Sequence, residues 1–91
     1  MESIHLEVRG RVQGVGFRWY VMEMARALGL AGWVRNKADG IVEIAAAGSP
    51  EVLAKFEAAV TAGPPGARVE EVRQLGAIAA DSLEVPFGIV R

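Results

Sequence analysis

Cysteine is absent from the 91-residue chain, and histidine and asparagine occur once each, at His5 and Asn36. The missing thiols exclude a disulfide staple and thiol chemistry, and agree with a reducing compartment. Neither a cysteine nor an activated serine pair is available as a nucleophile, and a single histidine leaves little for base catalysis. No apolar run approaches the ~18 to 20 residues of a membrane span. The start, MESIHLEVRG, lacks the basic end and continuous apolar stretch of a secretory signal. A soluble, cytoplasmic protein is therefore expected, with no membrane partner. A basic excess is lacking too: the formal net charge is −1, against the footprint of a protein that grips long polyanions.

What charge there is lies unevenly. Residues 1–40 carry six basic and four acidic side chains, whereas residues 41–91 carry four basic and seven acidic ones. The N-terminal half is thus the one suited to a small anion. Length implies one domain, residues 1–91, able to bury about 60 to 65 % of its unfolded surface.

Periodicity supplies the elements. Ile4, Leu6 and Val8 alternate with His5, Glu7 and Arg9 as in a half-buried strand. Phe17, Val21, Met24, Ala25 and Leu28 recur at helical spacing, with Gly29 placed as the stop. AGWVRN and GIVEIAAAG read as two strands joined by a turn at Asp39-Gly40. Ser49-Pro50-Glu51 reads as N-cap, first-turn proline and dipole-friendly carboxylate, opening a helix whose stripe is Val52, Phe56, Ala59 and Val60. GPPG at residues 63–66 ends it, ARVEEVRQL is a fourth strand, and Leu83, Val85, Phe87 and Ile89 alternate as a short fifth, with Pro86 suiting an edge.

The order β-α-β-β-α-β plus a short last strand predicts an α+β fold of the ferredoxin-like split βαβ type. Two helices then cover one face of an antiparallel sheet. A right-handed β-α-β crossover puts the C-terminal ends of the first two strands at the same end of the sheet. The loop after the first strand and the sequence WVRN would face one patch of solvent, roughly 10 Å apart.

That loop carries the chemistry. In GRVQGVGFRWY, residues 10–20, Gly10, Gly14 and Gly16 allow successive backbone N–H groups to turn inward as an anion-binding nest. The following helix adds unsatisfied N–H groups and a positive dipole end. Arg18 stands at the junction with a planar, five-donor fork matched to phosphate or carboxylate. A Walker A loop needs Gly-Lys-Ser/Thr where Gly16 is followed by Phe17 and Arg18, and the dinucleotide fingerprint needs glycine where Trp19 stands. On shape alone, an anion cradle and a mere tight turn remain open.

Two extended motifs make the reading specific. VRGRVQGVGFR, residues 8–18, resembles the first signature of the acylphosphatases, and GWVRNKADGIVEIAAAG, residues 32–48, resembles their second. The ending FGIVR is similar as well, so the resemblance covers essentially the whole chain. It implies hydrolysis of an acyl phosphate, a small-molecule substrate, to a carboxylate and inorganic phosphate, without metal or cofactor. By the same resemblance Arg18 corresponds to the phosphate-binding arginine and Asn36 to the residue orienting the attacking water. Gln13, Gly14, Val15, Gly16 and Phe17 would donate loop N–H groups. A monomer is expected.

For other polar residues the plain readings are preferred. His5 is expected to be solvated, Asp39 a turn former and Glu43 an exposed strand charge, since no companion ligands suggest a metal site. By alternation Arg35 should face away from Asn36 and be solvated, like Arg9 and Arg11. Trp19, Tyr20 and Trp33 are assigned to packing or to the border of an acyl pocket. Gln13 either contacts substrate or braces the turn. An RNA reader of this fold would need stacking aromatics on the third strand, and IVEIAAA has none. An anion-sensing module, or a domain of a larger carbamoyl-transferring protein, would share the nest. The chain starts with Met1 and extends little beyond the motifs, which ranks the latter lower.

Overall fold

The computed structural model describes residues 1–91. In chain order the elements are β1 (Glu2–Arg11), α1 (Phe17–Ala27), β2 (Ala31–Asn36), β3 (Val42–Gly48), α2 (Pro50–Ala62), β4 (Arg68–Gln74) and β5 (Gly88–Ile89). Single 3₁₀ turns stand at Ala38–Gly40 and Ala80–Ser82. The sheet order is β4-β1-β3-β2-β5, the ferredoxin-like arrangement expected. The β1/β3, β1/β4 and β2/β3 pairs are antiparallel, while β5 lies parallel to β2 and makes the sheet mixed.

The apolar alternation of β1 sends Leu6 and Val8 inward, where they meet Val34 of β2 and Val42 and Ile44 of β3 beneath the helices. Phe17, Val21, Met22 and Ala25 of α1 and Leu53, Phe56 and Val60 of α2 complete this core. Met24, Leu28, Val52 and Ala59, assigned to the helix stripes, are only partly buried. The expected stripe residues Phe17, Val21, Ala25, Phe56 and Val60 stay buried, and Met22 and Leu53 join them. Burial of each large apolar side chain contributes about 1.5–3 kcal/mol. Ser49 Oγ accepts from Val52 N at 3.3 Å, and Pro50 opens α2 as expected.

The C-terminal alternation has a different origin from a regular strand. Leu83 joins Ala31, Ala45 and Ala47 in a small cluster on the face away from the helices, whereas Phe87 enters the main core and meets Phe56 edge-on at 6.0 Å. The segment therefore wraps the sheet edge, with Val85 70 % exposed at the crossing. Only Gly88–Ile89 pairs with β2.

Gly32 permits a close approach within the sheet. Its φ is +139°, and a Cβ there would lie 1.9 Å from the Ala45 carbonyl oxygen. At the other end of β1, the register slips between Arg9 and Gly10, a bulge that redirects the chain as it leaves the sheet.

Candidate active site

Residues 12–16 connect that bulged end of β1 to α1. Val12 and Phe17, each 1 % exposed, are sunk in the core and pin the loop at both ends; between them Gly14 and Gly16 are exposed, while Gln13 and Val15 are partly buried. Gly14 (φ +74°) and Gly16 (φ +79°) both take the left-handed conformation, and nothing lies within 4 Å of where a Cβ would stand at either. Glycine is thus favoured by backbone angle rather than by crowding. Gly16 is also the N-cap of α1 and supplies no side-chain cap, so the first-turn N–H groups of the helix gain no partner from it.

Arg18 is the second residue of α1. The first turn contains no acidic residue, and none of the ion pairs in the protein includes Arg18. Its guanidinium therefore stands beside the positive helix end with no carboxylate opposing it. A cleft of about 130 Å³ adjoins it, lined by Gly14, Gly16 and Arg18 together with the apolar Val12, Phe17, Trp19 and Ile89. Trp19 is 59 % exposed there, so it borders the cleft instead of packing in the core. A hollow of about 240 Å³ near Ser3, His5 and Gly76, at the start of β1, contains none of the loop residues.

Asn36 ends β2. It shares a sheet row with Val42 of β3 and, through it, Val8 of β1, so it sits at the end of the sheet from which the loop departs. Its parity is that of the core residue Val34, the face of the helices. Its Oδ1 is buried and has no hydrogen-bond partner, the one such side-chain atom in the protein. Gln13 connects the two parts: its Nε2 donates to the carbonyls of Lys37 and Ile41, each at 3.0 Å, on either side of the β2–β3 turn. Of the two roles open to Gln13, this side chain braces the turn.

The opposite face of the sheet departs from expectation. Glu43, read as an exposed charge, is 5 % exposed and bonded on both sides, to His5 Nε2 and to Arg35 Nε at 2.6 Å each. His5 is correspondingly half-buried rather than solvated, with Trp33 edge-on at 6.1 Å. Arg35 is paired too, its guanidinium 5.4 Å from the Trp33 ring centre. Burial would push the Glu43 carboxyl up, but the bonds from His5 and Arg35 outweigh it and hold the group below its ordinary 4.5. Glu7 is likewise lowered, first by the hydrogen bond from Lys37 Nζ at 2.6 Å. These pairs face away from Asn36, as alternation requires. Arg9 reaches Glu71 at 3.4 Å in solvent, Arg11 is exposed, and Asp39 forms the turn with φ +66°. Tyr20 donates to the Ala59 carbonyl at 2.8 Å, a helix-to-helix contact.

Sequence reasoning missed the contribution of Ile89 to the cleft and the ion pair that fixes Lys37. Ile89 follows Phe87 in alternation, but it is exposed at the cleft rather than buried in the core, a position that alternation alone does not signal. Nothing local in the sequence joins Glu7 to Lys37.

Known proteins resemble the chain throughout this region. The family model described as Acylphosphatase matches residues 4–84. An acylphosphatase from Koribacter versatilis is 54 % identical over 65 residues, 71 % of this chain and 59 % of that relative's length. One from Cupriavidus pinatubonensis is 49 % identical over 72 residues, 79 % of this chain and 80 % of the relative. The crystal structure of acylphosphatase from Bacillus subtilis superposes over all of both chains with a TM-score of 0.93 at 40 % identity.

Proposed function

The chain belongs to the acylphosphatase family, and from that premise we propose that it hydrolyses acyl phosphates by direct attack of water on a phosphorus atom held by Arg18 and the loop amides. The observation that carries this reading is the buried, unpartnered Oδ1 of Asn36, at the end of the sheet where an uncommitted arginine and a glycine nest also lie. A buried acceptor with no partner in the protein calls for an explanation, and a place for a bound water at this end of the sheet supplies one.

In the proposed reaction the phosphoryl oxygens accept from the N–H groups of residues 13–17 and from the fork of Arg18. Asn36 Oδ1 accepts one hydrogen of a water and aims its lone pair at phosphorus. The new P–O bond forms as the bond between phosphorus and the acyl oxygen breaks, and the carboxylate departs with that electron pair. The proton of the water passes to an oxygen of the phosphate itself. Products are a carboxylate and inorganic phosphate. Because a carboxylate leaves readily, positioning and charge stabilisation are the main tasks left to the protein.

The proposal takes residues 1–91 as one catalytic unit, a cytoplasmic monomer that uses no metal, cofactor, nucleic acid or membrane. Benzoyl phosphate turnover by the purified chain tests it. Hydrolysis unchanged by excess chelator is expected. Phosphate binding without turnover would instead identify a sensor, and dependence on an added divalent ion would refute the metal-free site.

A further inference from the structure

The loop is glycine-rich, with Gly14 and Gly16 exposed, and in the proposed reaction it must keep a fixed relation to Asn36, which belongs to a different strand. Gln13 is the residue that joins them. A carboxamide nitrogen has two N–H groups, and in Gln13 both are engaged, one with Lys37 O and one with Ile41 O, at 3.0 Å each. These are the only side-chain hydrogen bonds made by residues 12–16. Their acceptors flank the turn that begins directly after Asn36. Lys37 N donates to Ile41 O at 2.7 Å, continuing the ladder whose last pair is Asn36 with Val42. The same turn is tied to β1 by the 2.6 Å bond from Lys37 Nζ to Glu7.

We propose that Gln13 is a positioning residue for hydrolysis, its carboxamide clamping the phosphate loop onto the β2–β3 turn so that cradle and Asn36 hold one separation. The proposal rests on the reading of Asn36 and Arg18 given above. Gln13 acts through Asn36 and the loop rather than by side-chain contact with the substrate. Its loss should leave the anion site itself intact, because Arg18 and the loop amides remain. What it should degrade is the distance and angle between bound phosphorus and oriented water, a geometry in which an error of about 1 Å costs on the order of 10²-fold in rate.

Gln13→Met keeps the length of the side chain and removes both donors; Gln13→Glu keeps length and polarity but also cannot donate when ionised. Each is measured alone and combined with Asn36→Ala, for turnover of benzoyl phosphate and for competitive inhibition by inorganic phosphate. With Asn36 present, turnover should fall at least about tenfold while the phosphate inhibition constant changes less than about threefold. With Asn36 already removed, the same substitution should cost less than about threefold, because there is no longer an oriented water to misplace. Equal losses in both backgrounds, or phosphate binding weakened as much as turnover, would overturn the clamp. Asn36→Ala and Arg18→Ala alone report on the underlying reading. If they lose activity and Gln13 does not couple, only the clamp is refuted; if they keep it, the site reading has failed. Should neither Gln13 variant fold, the wild-type protein decides: both side-chain amide protons of Gln13 should exchange at least about tenfold slower than those of a free glutamine, and free exchange overturns the clamp.

Discussion

Replacing Asn36 with alanine should separate activity from stability. The Oδ1 atom is buried and makes no hydrogen bond to another group of the protein, so alanine breaks no bond within the fold. Only some van der Waals contact at a strand end is lost, and the folded state should be about as stable as wild type. For a domain of this length each kcal/mol corresponds to about 4–8 °C, and a melting temperature within a few degrees of wild type is expected. Turnover should nevertheless fall by ~10²-fold or more, about 2.7 kcal/mol in the barrier, because water is no longer aimed at phosphorus. Thermal melting by circular dichroism and steady-state hydrolysis of benzoyl phosphate on the same preparation provide both numbers. Inhibition by inorganic phosphate should persist, since Arg18 and the loop are untouched. A variant that melts many degrees earlier but retains wild-type turnover per folded molecule would show that Asn36 serves the turn and does not orient water.

Arg18→Ala should abolish competitive inhibition by phosphate and reduce turnover by ~10²–10³-fold, and Arg18→Lys should recover little, because a point charge cannot reproduce a bidentate fork; near-normal phosphate inhibition in the alanine variant would relocate the anion site. Gly32→Ala forces a Cβ to 1.9 Å from the Ala45 carbonyl oxygen at a φ of +139°, so β2 and β3 must part. The cost should reach at least about 2 kcal/mol, and a wild-type melting temperature would contradict the close approach. The Glu43 carboxyl titrates below 4.5 in the folded protein. A depressed carboxyl contributes stability that is complete above its unfolded value and is lost as pH falls through its folded one. Urea midpoints should therefore drop as pH is lowered below 4.5, and Glu43→Gln should flatten part of that slope; an identical slope in the variant would deny the group its role.

Much of this fold is legible because local signals agree with one another. Leu6 and Val8 alternate, Ser49-Pro50-Glu51 announces α2, and Gly14 and Gly16 stand where the backbone becomes left-handed. What is not legible depends on partners distant in sequence. Glu43 resembles any solvated strand carboxylate until the sheet places it between His5 and Arg35, 38 and 8 residues away. Leu83 and Phe87 alternate like one strand, but they serve opposite faces of the sheet, a distinction that period-2 patterning cannot express. The candidate site divides the same way. The loop and Arg18 are contiguous and carry their chemistry in residue type, whereas the link from Gln13 to Lys37 and Ile41 exists only once β1 and β3 have paired.

Whether water attacks phosphorus or the acyl carbon is read from where solvent oxygen goes. Benzoyl phosphate hydrolysed by the wild-type protein in ¹⁸O-enriched water should deliver one labelled oxygen to inorganic phosphate and none to benzoate, after correction for the uncatalysed reaction. On the proposed reading Arg18 and the loop amides hold the phosphoryl group and no residue is assigned to the carbonyl, so this is the distribution expected. Label appearing in benzoate would mean that the acyl carbon is the point of attack, and the roles assigned to Arg18, the loop amides and Asn36 would be contradicted together.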